Sequence, residues 1–376
     1  MSNPRVSFVT RVLTHYRIPF HEQVRELLAE QGVEYQVIHG QPDAEEAAKQ
    51  DLATLPWAKA IRNRPLFGRG KLVWQPVLES ISGSDLVILG QENQLLVNYP
   101  LQIMRKHARR IALFGHGRNF QSRNPGGLAE RWKRFWAKRC DWWFAYTDET
   151  SRHLVSIGYP GDRITVFNNA VDTSALREQA TALGSADIQA AKAALGITGS
   201  NVAVFVGGLY PDKRIEFLVD AADRVRESVP DFELVIIGAG IDAPKLAVMA
   251  ETRPWLIVAG PRFGSEKVAL MMAARLFLMP GLVGLAVLDA GVLGLPMVTT
   301  AFPWHSPEIA YLRDGENGVI VEAWEDVDAY AEAMIALLRD EEGCRNMAAR
   351  AVAAASHYSV EAMAERFADG VLRALR

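Results

Sequence analysis

One carboxylate stands alone in an apolar stretch of the chain. Residues 276–300 read LFLMPGLVGLAVLDAGVLGLPMVTT, which predicts a buried strand over 276–279, a tight turn, a helix from about 284 to 293 and a second strand. Asp289 lies in that helix, and the residues three and four positions to either side of it are apolar. A buried carboxylate is costly unless a partner satisfies it. We therefore expect either a hydrogen bond from a neighbouring backbone group or a ligand with two adjacent hydroxyl groups, such as a ribose.

The turn in front of this helix favours the ligand. It contains Gly281 and Gly284, and glycines let the backbone approach a bound group closely. Unpaired N–H groups at a helix N-terminus, together with the helix dipole, form a binding site for a phosphate. The stretch thus combines a candidate phosphate site with a candidate ribose site.

The elements around this stretch alternate as in an α/β fold. Short apolar strands follow amphipathic helical segments from the N-terminus onward, which predicts parallel sheets. The predicted strands are 6–9, 35–38, 71–74, 85–89, 111–114, 142–146 and 164–167 in the first half, and 202–206, 232–237, 256–259 and 276–279 in the second. The predicted helices include 95–107, 128–138, 215–226, 324–339, 341–355 and 360–375.

Length and composition suit two such domains. The chain has 376 residues, of which 49% are hydrophobic and 23% are charged. A net charge of −3 gives no overall signal for binding a polyanion. Cys140 and Cys344 lie far apart without metal-ligand spacing, so we expect reduced, structural cysteines in a cytoplasmic protein. We expect neither a signal peptide nor a transmembrane helix.

Polar residues follow three predicted strands of the first half, where ligands gather in an open α/β sheet. These segments are Thr14-His15-Tyr16-Arg17, Gln91-Glu92-Asn93 and Gly115-His116-Gly117-Arg118-Asn119. His116 stands between two glycines, and it is either a ligand-binding residue or a turn histidine bonded to a backbone carbonyl.

The segment 105–139 carries eleven lysines and arginines against a single acid, Glu130. Trp132, Phe135 and Trp136 are interleaved with these bases. Such a basic, aromatic helix over 128–139 can lie on an anionic membrane surface, or it can be a solvated helix whose aromatic residues face the core. We expect no nucleic-acid binding, because no DNA- or RNA-binding motif accompanies the charge.

Two further loops of the second half could hold phosphate groups. GGLYPDKR follows the strand 202–206, and its Lys213 is either a phosphate ligand or a solvent-facing turn residue. Residues 238–243 read GAGIDA, which fits the dinucleotide pattern G-x-G-x-x-G/A after a strand. The acid expected roughly 20 residues further on is absent, so this dinucleotide pattern is incomplete.

These motifs together resemble the retaining glycosyltransferases of family 4, also described as glycosyl transferases group 1. The donor-nucleotide element of that family reads P-S-x-x-E-G-F-G-L-x-x-x-E-A and is followed by a glycine and a proline. Asp289 falls where the second Glu stands, and Gly294 and Pro296 match the end. GGLYPDKR resembles the family's G-R-L-x-x-x-K-G loop, with Lys213 on its lysine.

The resemblance implies the GT-B fold, an α/β architecture in which two Rossmann-like domains present parallel sheets to a central cleft. We expect residues 1–172 to form an acceptor-side domain, 173–357 a nucleotide-sugar donor domain and 358–376 a C-terminal helix that crosses back to the first domain. The implied reaction is retaining, hexosyl-type transfer of a sugar from a nucleotide-diphosphate donor to a hydroxyl group. A saccharide or a lipid-linked acceptor in polysaccharide assembly would fit. We expect no metal and no cofactor, with a UDP- or GDP-sugar as substrate, and a cytoplasmic enzyme peripheral on the inner face of the membrane.

The resemblance also assigns roles to residues. Asp289 would bind the ribose, while Lys213 and the N–H groups of Gly284 and Leu285 would bind the diphosphate. His116 would contact the sugar or its acceptor, so His116, Lys213 and Asp289 are the catalytic candidates. The remaining donor-side candidates are Gly207, Gly208 and Arg262, and the acceptor-side candidates are His15, Tyr16, Arg17 and Arg118.

Two departures from the family pattern leave other hypotheses open. The segment from Pro280 to Asp289 is three residues shorter than in the family and has no acid where the first Glu stands. Gly208 also takes the place of the usual loop arginine. A second hypothesis is therefore a non-catalytic scaffold or regulatory partner that keeps the fold. A third is an NAD-dependent oxidoreductase that uses the glycines of 238–240.

Overall fold

The computed structural model describes residues 3–41, 55–66, 72–104, 108–120, 122–124 and 126–376. Contacts within the chain divide it into two compact units. Unit 1 consists of residues 1–172 together with 359–376, and unit 2 consists of residues 173–358.

Unit 1 is built on a parallel sheet. Its strands are β1 (Arg5–Thr10), β2 (Glu34–Gly40), β3 (Lys59–Ile61), β4 (Arg64–Leu66), β5 (Leu72–Trp74), β6 (Ser84–Gly90), β7 (Ala108–Gly115), β8 (Trp142–Ala145) and β9 (Ile164–Val166). In the described part of the unit, seven of them pair in the order β3-β2-β1-β6-β7-β8-β9, and all these neighbours are parallel. The helices among the described residues of this unit are α1 (Ile18–Glu30), α2 (Asn98–Met104), α3 (Leu128–Ala137) and α4 (Asp148–Ser156), joined by a helix from the C-terminus.

Unit 2 repeats the architecture. Its strands are β10 (Asn201–Val206), β11 (Phe232–Ile237), β12 (Leu256–Gly260), β13 (Leu276–Met279), β14 (Met297–Thr300) and β15 (Gly318–Val321). They form a parallel sheet in the order β12-β11-β10-β13-β14-β15. Its helices are α5 (Ser174–Ala182), α6 (Ser185–Ala194), α7 (Ile215–Ser228), α8 (Ala243–Ala250), α9 (Gly264–Met272), α10 (Ala286–Val292), α11 (Val327–Arg339) and α12 (Glu341–Ala355).

The sequences of these strands are continuous apolar runs, because helices cover both faces of an all-parallel sheet. β11 and β13 are buried along their whole length. The order of each sheet reverses once, between β1 and β6 in unit 1 and between β10 and β13 in unit 2. Such switch points open a crevice at the carboxyl ends of the strands, where ligands bind in this type of fold.

The last helix, α13 (Val360–Leu375), packs in unit 1 although it follows unit 2 in the chain. Phe367 on this helix is fully buried against Phe144 and Phe20, with ring centroids 4.3 and 5.1 Å apart. Arg110 donates a hydrogen bond to the carbonyl oxygen of Ala374 at 2.6 Å. The two ends of the chain therefore share one hydrophobic core.

Some predicted elements differ from the structure. The strand predicted at 71–74 is β5, which pairs antiparallel with β4 outside the main sheet, so its place in a parallel sheet was wrong. The helix predicted at 95–107 begins at Asn98, and residues 105–107 lie outside the described residues. The helix predicted at 324–339 begins only at Val327, because the Asp326 side chain caps it by accepting the N–H groups of the two residues beyond Val327.

Candidate functional site

The loop after β10 buries a lysine. A single 3-10 turn over Pro211–Lys213 brings the Lys213 side chain inward, where it is 6% exposed. Its Nζ donates to the carbonyl oxygen of Leu282 at 2.5 Å and lies 3.4 Å from the sulfur of Met279. Burial lowers the pKa of Lys213 to about 8, against an opposing effect of the neighbouring Asp212 charge. At pH 7 the side chain is therefore a buried cation, and not the solvent-facing turn residue of the alternative interpretation.

The lysine loop packs directly on the loop after β13. The N–H of Leu282 donates to the carbonyl oxygen of Asp212 at 2.8 Å. A Cβ atom on Gly281 would lie 2.0 Å from that same oxygen, so only glycine permits this approach. The two loops follow neighbouring strands at the switch point of the sheet, which is the expected place for a ligand.

The His305 side chain fixes the loop after β13 by a hydrogen bond to the backbone of that loop. The N–H of Val283 donates to His305 Nδ1 at 3.0 Å, and His305 Nε2 lies 2.8 Å from the carbonyl oxygen of Thr300, to which it donates. The pair of bonds requires the neutral tautomer with its proton on Nε2. Burial lowers the pKa of His305 to about 4, which keeps that tautomer at neutral pH. The sequence analysis assigned no role to His305. Only its position beyond the end of β14 could have indicated that it lies near the site.

Two donors in this loop remain unused. The N–H groups of Gly284 and Leu285 make no hydrogen bond to the described part of the chain. Space around Gly284 is open, since the nearest atom to an added Cβ is Ser306 Oγ at 3.9 Å. Free N–H donors on a loop that also holds the Lys213 cation suit an anionic ligand with several oxygens.

Asp289 lies one turn into α10, and its partner is a lysine. Asp289 Oδ2 lies 3.4 Å from Nζ of Lys267 on α9, and the two side chains are 28% and 24% exposed. Burial raises the pKa of Asp289, while Lys267 acts in the opposite direction. The expectation of a backbone partner or a ligand was therefore incomplete, because the chain supplies a cation from a different helix. The pair stays reachable from solvent, so a ligand can still engage the carboxylate.

The glycines of the dinucleotide-like pattern have a packing role. A Cβ on Gly238 would lie 1.9 Å from the carbonyl oxygen of Gly207, and one on Gly240 would lie 2.1 Å from that of Leu209. Gly207 and Leu209 in turn donate to the carbonyl groups of Ile237 and Ala239, at 3.0 and 2.9 Å. Close contact between the loops after β10 and β11 accounts for these glycines without a dinucleotide. A Cβ on Gly208 would approach only the ring of Tyr210, which can move, so Gly208 has no such packing role.

Arg262 and its neighbour follow β12. Arg262 pairs with Glu266 at 3.0 Å, and its Nε is buried without a hydrogen-bond partner among the described residues. Phe263 is 80% exposed. A planar cation beside an exposed aromatic ring can flank a flat heterocycle.

In unit 1, His116 follows the end of β7 and packs on Tyr146, with ring centroids 4.0 Å apart. Its Nδ1 is buried and has no hydrogen-bond partner among the described residues, so it does not make the carbonyl bond of an ordinary turn histidine. Burial, with further contributions from Lys133 and Arg17, lowers the pKa of His116 to about 3. The imidazole is therefore neutral at physiological pH.

Arg17 and His116 both contact Tyr146. Arg17 Nη2 donates to the Tyr146 hydroxyl at 3.3 Å, and the guanidinium carbon lies 5.5 Å from the centre of that ring. His15 is exposed and packs edge-on against Tyr16, with ring centroids 6.0 Å apart. The structure thus brings Arg17 and His116 together, whereas His15 lies at the surface of the unit.

Arg118 lies beside this group and pairs with Glu149 at 2.9 Å. Two residues to which the sequence analysis gave no role in this site, Lys133 and His153, lie there as well. Burial lowers the pKa of Lys133, and burial together with Arg118 and other cations lowers the pKa of His153 to about 4. Lys133 was hidden among the eleven bases of segment 105–139, where sequence alone cannot tell an inward-facing base from a solvated one.

The basic helix α3 has two unlike faces. Leu128, Trp132 and Phe135 are 81%, 48% and 47% exposed, whereas Trp136 is 8% exposed. The alternative of a helix with all its aromatics in the core therefore holds for Trp136 only. Across the described residues, no helix is long and apolar enough to span a membrane. Within the same residues, no group of three or more His, Cys, Asp or Glu side chains is placed to hold a metal ion.

Solved structures of other proteins share this fold. HepE from Anabaena, in complex with UDP, aligns over 98% of this chain and 100% of its own with a TM-score of 0.71 at 15% identity. A glycosyltransferase from Rickettsia africae aligns over 100% of both chains with a TM-score of 0.73 at 12% identity. Both are GT-B proteins, and the two parallel sheets described above define the same class for this chain.

Family models narrow the class. Residues 21–175 match the model described as Glycosyltransferase Family 4, and residues 200–340 match the one described as Glycosyl transferases group 1. Together the two segments span most of the chain, and the chain belongs to this family of glycosyltransferases.

Curated relatives carry the same kind of name. D-inositol 3-phosphate glycosyltransferase of Nocardia farcinica is 30% identical over 246 residues, which is 61% of this chain and 52% of the relative. The protein of that name from Corynebacterium urealyticum is 31% identical over 194 residues, or 48% of this chain and 45% of the relative. The chain spans about half the length of the curated relatives it matches.

Proposed function

We propose that the protein is a retaining glycosyltransferase that moves a sugar from a nucleotide-diphosphate donor to a hydroxyl group of its acceptor. The observation that carries the proposal is the arrangement in unit 2. There the buried cation of Lys213 is hydrogen-bonded into the same loop whose N–H groups at Gly284 and Leu285 are unused. The UDP and UDP-glucose bound by HepE support a nucleotide-sugar as donor, and the relatives' names support sugar transfer.

In this proposal residues 173–357 hold the donor. Lys213 and the N–H groups of Gly284 and Leu285 bind the diphosphate, Asp289 binds the ribose and Arg262 flanks the base. Gly207 and Gly208 shape the loop that carries Lys213. The donor is a UDP- or GDP-sugar, and HepE structures with UDP and with UDP-glucose favour the first.

The chemistry follows from where charge develops. When the glycosidic bond to the diphosphate breaks, negative charge grows on the leaving oxygens, and donors already aimed at them stabilise the transition state. Lys213 needs no large movement to do this, because His305 and Asp212 already fix the loop to which it is bonded. The proposal therefore assigns to Lys213 and the loop N–H groups the role that a metal ion plays elsewhere, and it requires no cofactor.

Residues 1–172 form the acceptor side in the proposal, and 358–376 complete that domain. His116 contacts the transferred sugar or the acceptor, next to Arg17 and Arg118, while His15 and Tyr16 line the rim. The acceptor is a saccharide or a lipid-linked saccharide of polysaccharide assembly. The exposed apolar and basic face of α3 supports a cytoplasmic enzyme that rests peripherally on the inner membrane surface.

A non-catalytic nucleotide-binding protein is the second candidate. The loop after β13 carries no carboxylate between Pro280 and Asp289, and Asp289 already has Lys267 as its partner. Such a protein would bind a nucleotide and transfer nothing. Release of the nucleoside diphosphate from the donor, measured with and without acceptor extracts, separates the two candidates.

Calorimetry tests the donor site. We expect one of UDP, GDP, ADP or dTDP to bind the wild type, and the Asp289→Ala variant to bind it at least roughly 10-fold more weakly, because a charged hydrogen bond to the ribose is lost. Asp328→Ala removes an exposed carboxylate of the same unit and should leave the affinity unchanged. If no nucleoside diphosphate binds, the proposed function is wrong. Binding of NAD that is insensitive to Asp289→Ala would favour the oxidoreductase hypothesis.

A further inference from the structure

Arg214 has a backbone conformation that is unusual for its residue type. It follows Lys213 directly and lies between the 3-10 turn and α7, with φ of 56° and ψ of 47° in the left-handed region. Among the described residues other than glycine, only Asn168 shares a positive φ. Asparagine tolerates this region, whereas arginine occupies it at a cost that glycine avoids. The G-R-L-x-x-x-K-G loop that this segment resembles has glycine here, so the backbone alone does not account for the arginine.

The Arg214 side chain joins two loops beyond the carboxyl ends of the strands. Its Nη1 donates to the carbonyl oxygen of Pro280 at 3.4 Å and to that of Trp324 at 2.5 Å. The Pro280 oxygen also accepts the Thr300 hydroxyl at 2.7 Å. Pro280 begins the loop after β13, and Trp324 lies in the loop after β15. Arg214 therefore anchors the start of the loop that carries the unused N–H groups.

Aromatic rings hold the guanidinium in place. Its central carbon lies 3.9, 4.9 and 5.9 Å from the ring centres of Phe217, Trp324 and Phe302. Such contacts strengthen as the cation loses water. Burial lowers the pKa of Arg214, against an opposing effect of the Glu325 charge, and an arginine remains charged at physiological pH. The guanidinium is thus fixed by contacts of unit 2 and needs no ligand to hold its position.

Two consecutive basic residues support the same loop in different ways. Lys213 donates to the carbonyl oxygen of Leu282, and Arg214 donates to that of Pro280. A bound diphosphate would compete with the Leu282 carbonyl for the lysine ammonium, because charged acceptors form the stronger hydrogen bonds. The guanidinium is already directed to carbonyl groups of two loops. The loop after β13 thus keeps one support that does not depend on the ligand.

We propose that Arg214 is a positioning residue for the donor. By anchoring Pro280, it keeps the N–H groups of Gly284 and Leu285 aimed at the diphosphate while Lys213 turns toward the same ligand. The role rests on the proposed function, because it requires that the loop after β13 binds a diphosphate. Arg214 itself touches neither the ribose nor the base in this assignment, so its loss should affect the diphosphate selectively.

Calorimetry with UDP, GDP, ADP and dTDP, each beside its own nucleoside, tests that selectivity. Arg214→Asn removes the guanidinium and keeps a residue that tolerates the left-handed backbone. We expect it to weaken binding of the diphosphate at least roughly 10-fold, because the N–H donors lose their alignment. Binding of the nucleoside should change less than about 2-fold. Equal weakening of both ligands would show general damage to the unit and would overturn the proposal.

Two further variants separate the side chain from the backbone. Arg214→Gly also removes the guanidinium, but it gives the left-handed position the residue that fits it best. We expect the same selective loss as in Arg214→Asn, and wild-type diphosphate affinity in Arg214→Gly would overturn the proposal. Arg224→Gln is the matched control, since it removes an exposed arginine of α7 that pairs with Asp328, and it should leave both affinities unchanged.

Hydrogen exchange of the ligand-free protein follows the loop directly. The N–H groups of Leu282 and Val283 are hydrogen-bonded, so their exchange reports the order of the loop. We expect faster exchange in peptides that cover residues 280–285 of Arg214→Asn, and unchanged exchange in peptides from β11. Unchanged exchange across 280–285 would overturn the proposal.

The two kinds of failure are distinguishable. A diphosphate that binds the wild type and Arg214→Asn equally well would overturn the role of Arg214 and leave the proposed function standing. If no nucleoside diphosphate binds the wild type, the proposed function is wrong and the positioning role is overturned with it.

Discussion

The ion pair between Lys267 and Asp289 bears on the proposed donor site, because it affects the charge of the Asp289 carboxylate. Burial alone favours the neutral acid, which accepts hydrogen bonds poorly, and the Lys267 ammonium works against that shift. Ribose hydroxyl groups donate best to an ionised carboxylate. Lys267 thus keeps Asp289 in the form that the proposed donor site requires, and its own donors are free to turn to a ribose oxygen.

Removing that lysine should change the pH dependence of nucleotide binding. The pKa of Asp289 is already raised by burial, and without Lys267 it rises further, so protonation of the carboxylate begins at higher pH. We therefore expect Lys267→Met to move the acid-side loss of nucleoside-diphosphate affinity to higher pH, measured by calorimetry in steps between pH 5 and 8. Lys245→Met removes a lysine paired with Glu216 at the surface of the same unit and should leave the profile in place. Superimposable profiles for Lys267→Met and wild type would contradict this role.

Helix α3 has a buried inner face and an exposed outer face. Lys133 and Trp136 lie on its inner face, and Leu128, Trp132 and Phe135 lie exposed on its outer face with Arg131 and Lys138 among them. The neighbouring helix α2, whose Tyr99 packs on Trp132 with ring centroids 5.4 Å apart, adds Ile103 at 65% exposure. Exposed aromatic and aliphatic side chains next to bases are the composition of a membrane-surface helix.

Replacing the exposed apolar residues of α3 tests whether its outer face binds a membrane surface. We expect the double variant Trp132→Ser, Phe135→Ser to lose at least roughly 10-fold in binding to vesicles that contain phosphatidylglycerol, because two aromatic side chains no longer enter the interface. Co-sedimentation measures it, with Val352→Ser on α12 as an exposed apolar control from unit 2. Wild-type protein that does not bind such vesicles would rule out the membrane surface.

Elements whose burial shows in the local pattern could be predicted from the sequence. The strand 232–237 and the helices 341–355 and 360–375 were placed at their observed bounds, because continuous apolar runs and caps mark them. β15 was missed because it follows a turn and has only four residues. α5 and α6 were missed because their polar, alanine-rich sequence looks like a linker.

The candidate site was predictable only in part, for a related reason. Lys213 and the loop of Gly284 carry local motifs, so they could be named from the sequence. Lys267 and Asp289 are 22 residues apart in the sequence, and so are His305 and Val283. No local sequence pattern predicts either contact. The periodicity of a single sequence indicates which face of an element is apolar. It does not indicate which side chain of another element packs against that face.

At the scale of the whole molecule, the two units differ in how the chain builds them. Unit 2 is one continuous segment, whereas unit 1 needs both ends of the chain. Its aromatic core joins Phe8 of β1, Phe20 of α1, Phe114 of β7 and Phe144 of β8 to Phe367 of α13. Contacts between such distant segments close a long loop, so unit 1 cannot be completed until the last helix is present.

Truncating Phe367 should therefore weaken one unit and spare the other. Its side chain is fully buried, and Phe367→Ala should cost about 3–5 kcal/mol through lost apolar contact and the cavity left behind. Hydrogen exchange followed by mass spectrometry should show faster exchange in peptides from β1, β7 and β8, and unchanged exchange in peptides from β10 and β11. Phe277→Ala, at an equally buried position of β13, should give the reverse pattern. A uniform loss of protection in either variant would show that the two units unfold as one, and the division of the chain would then have no counterpart in stability.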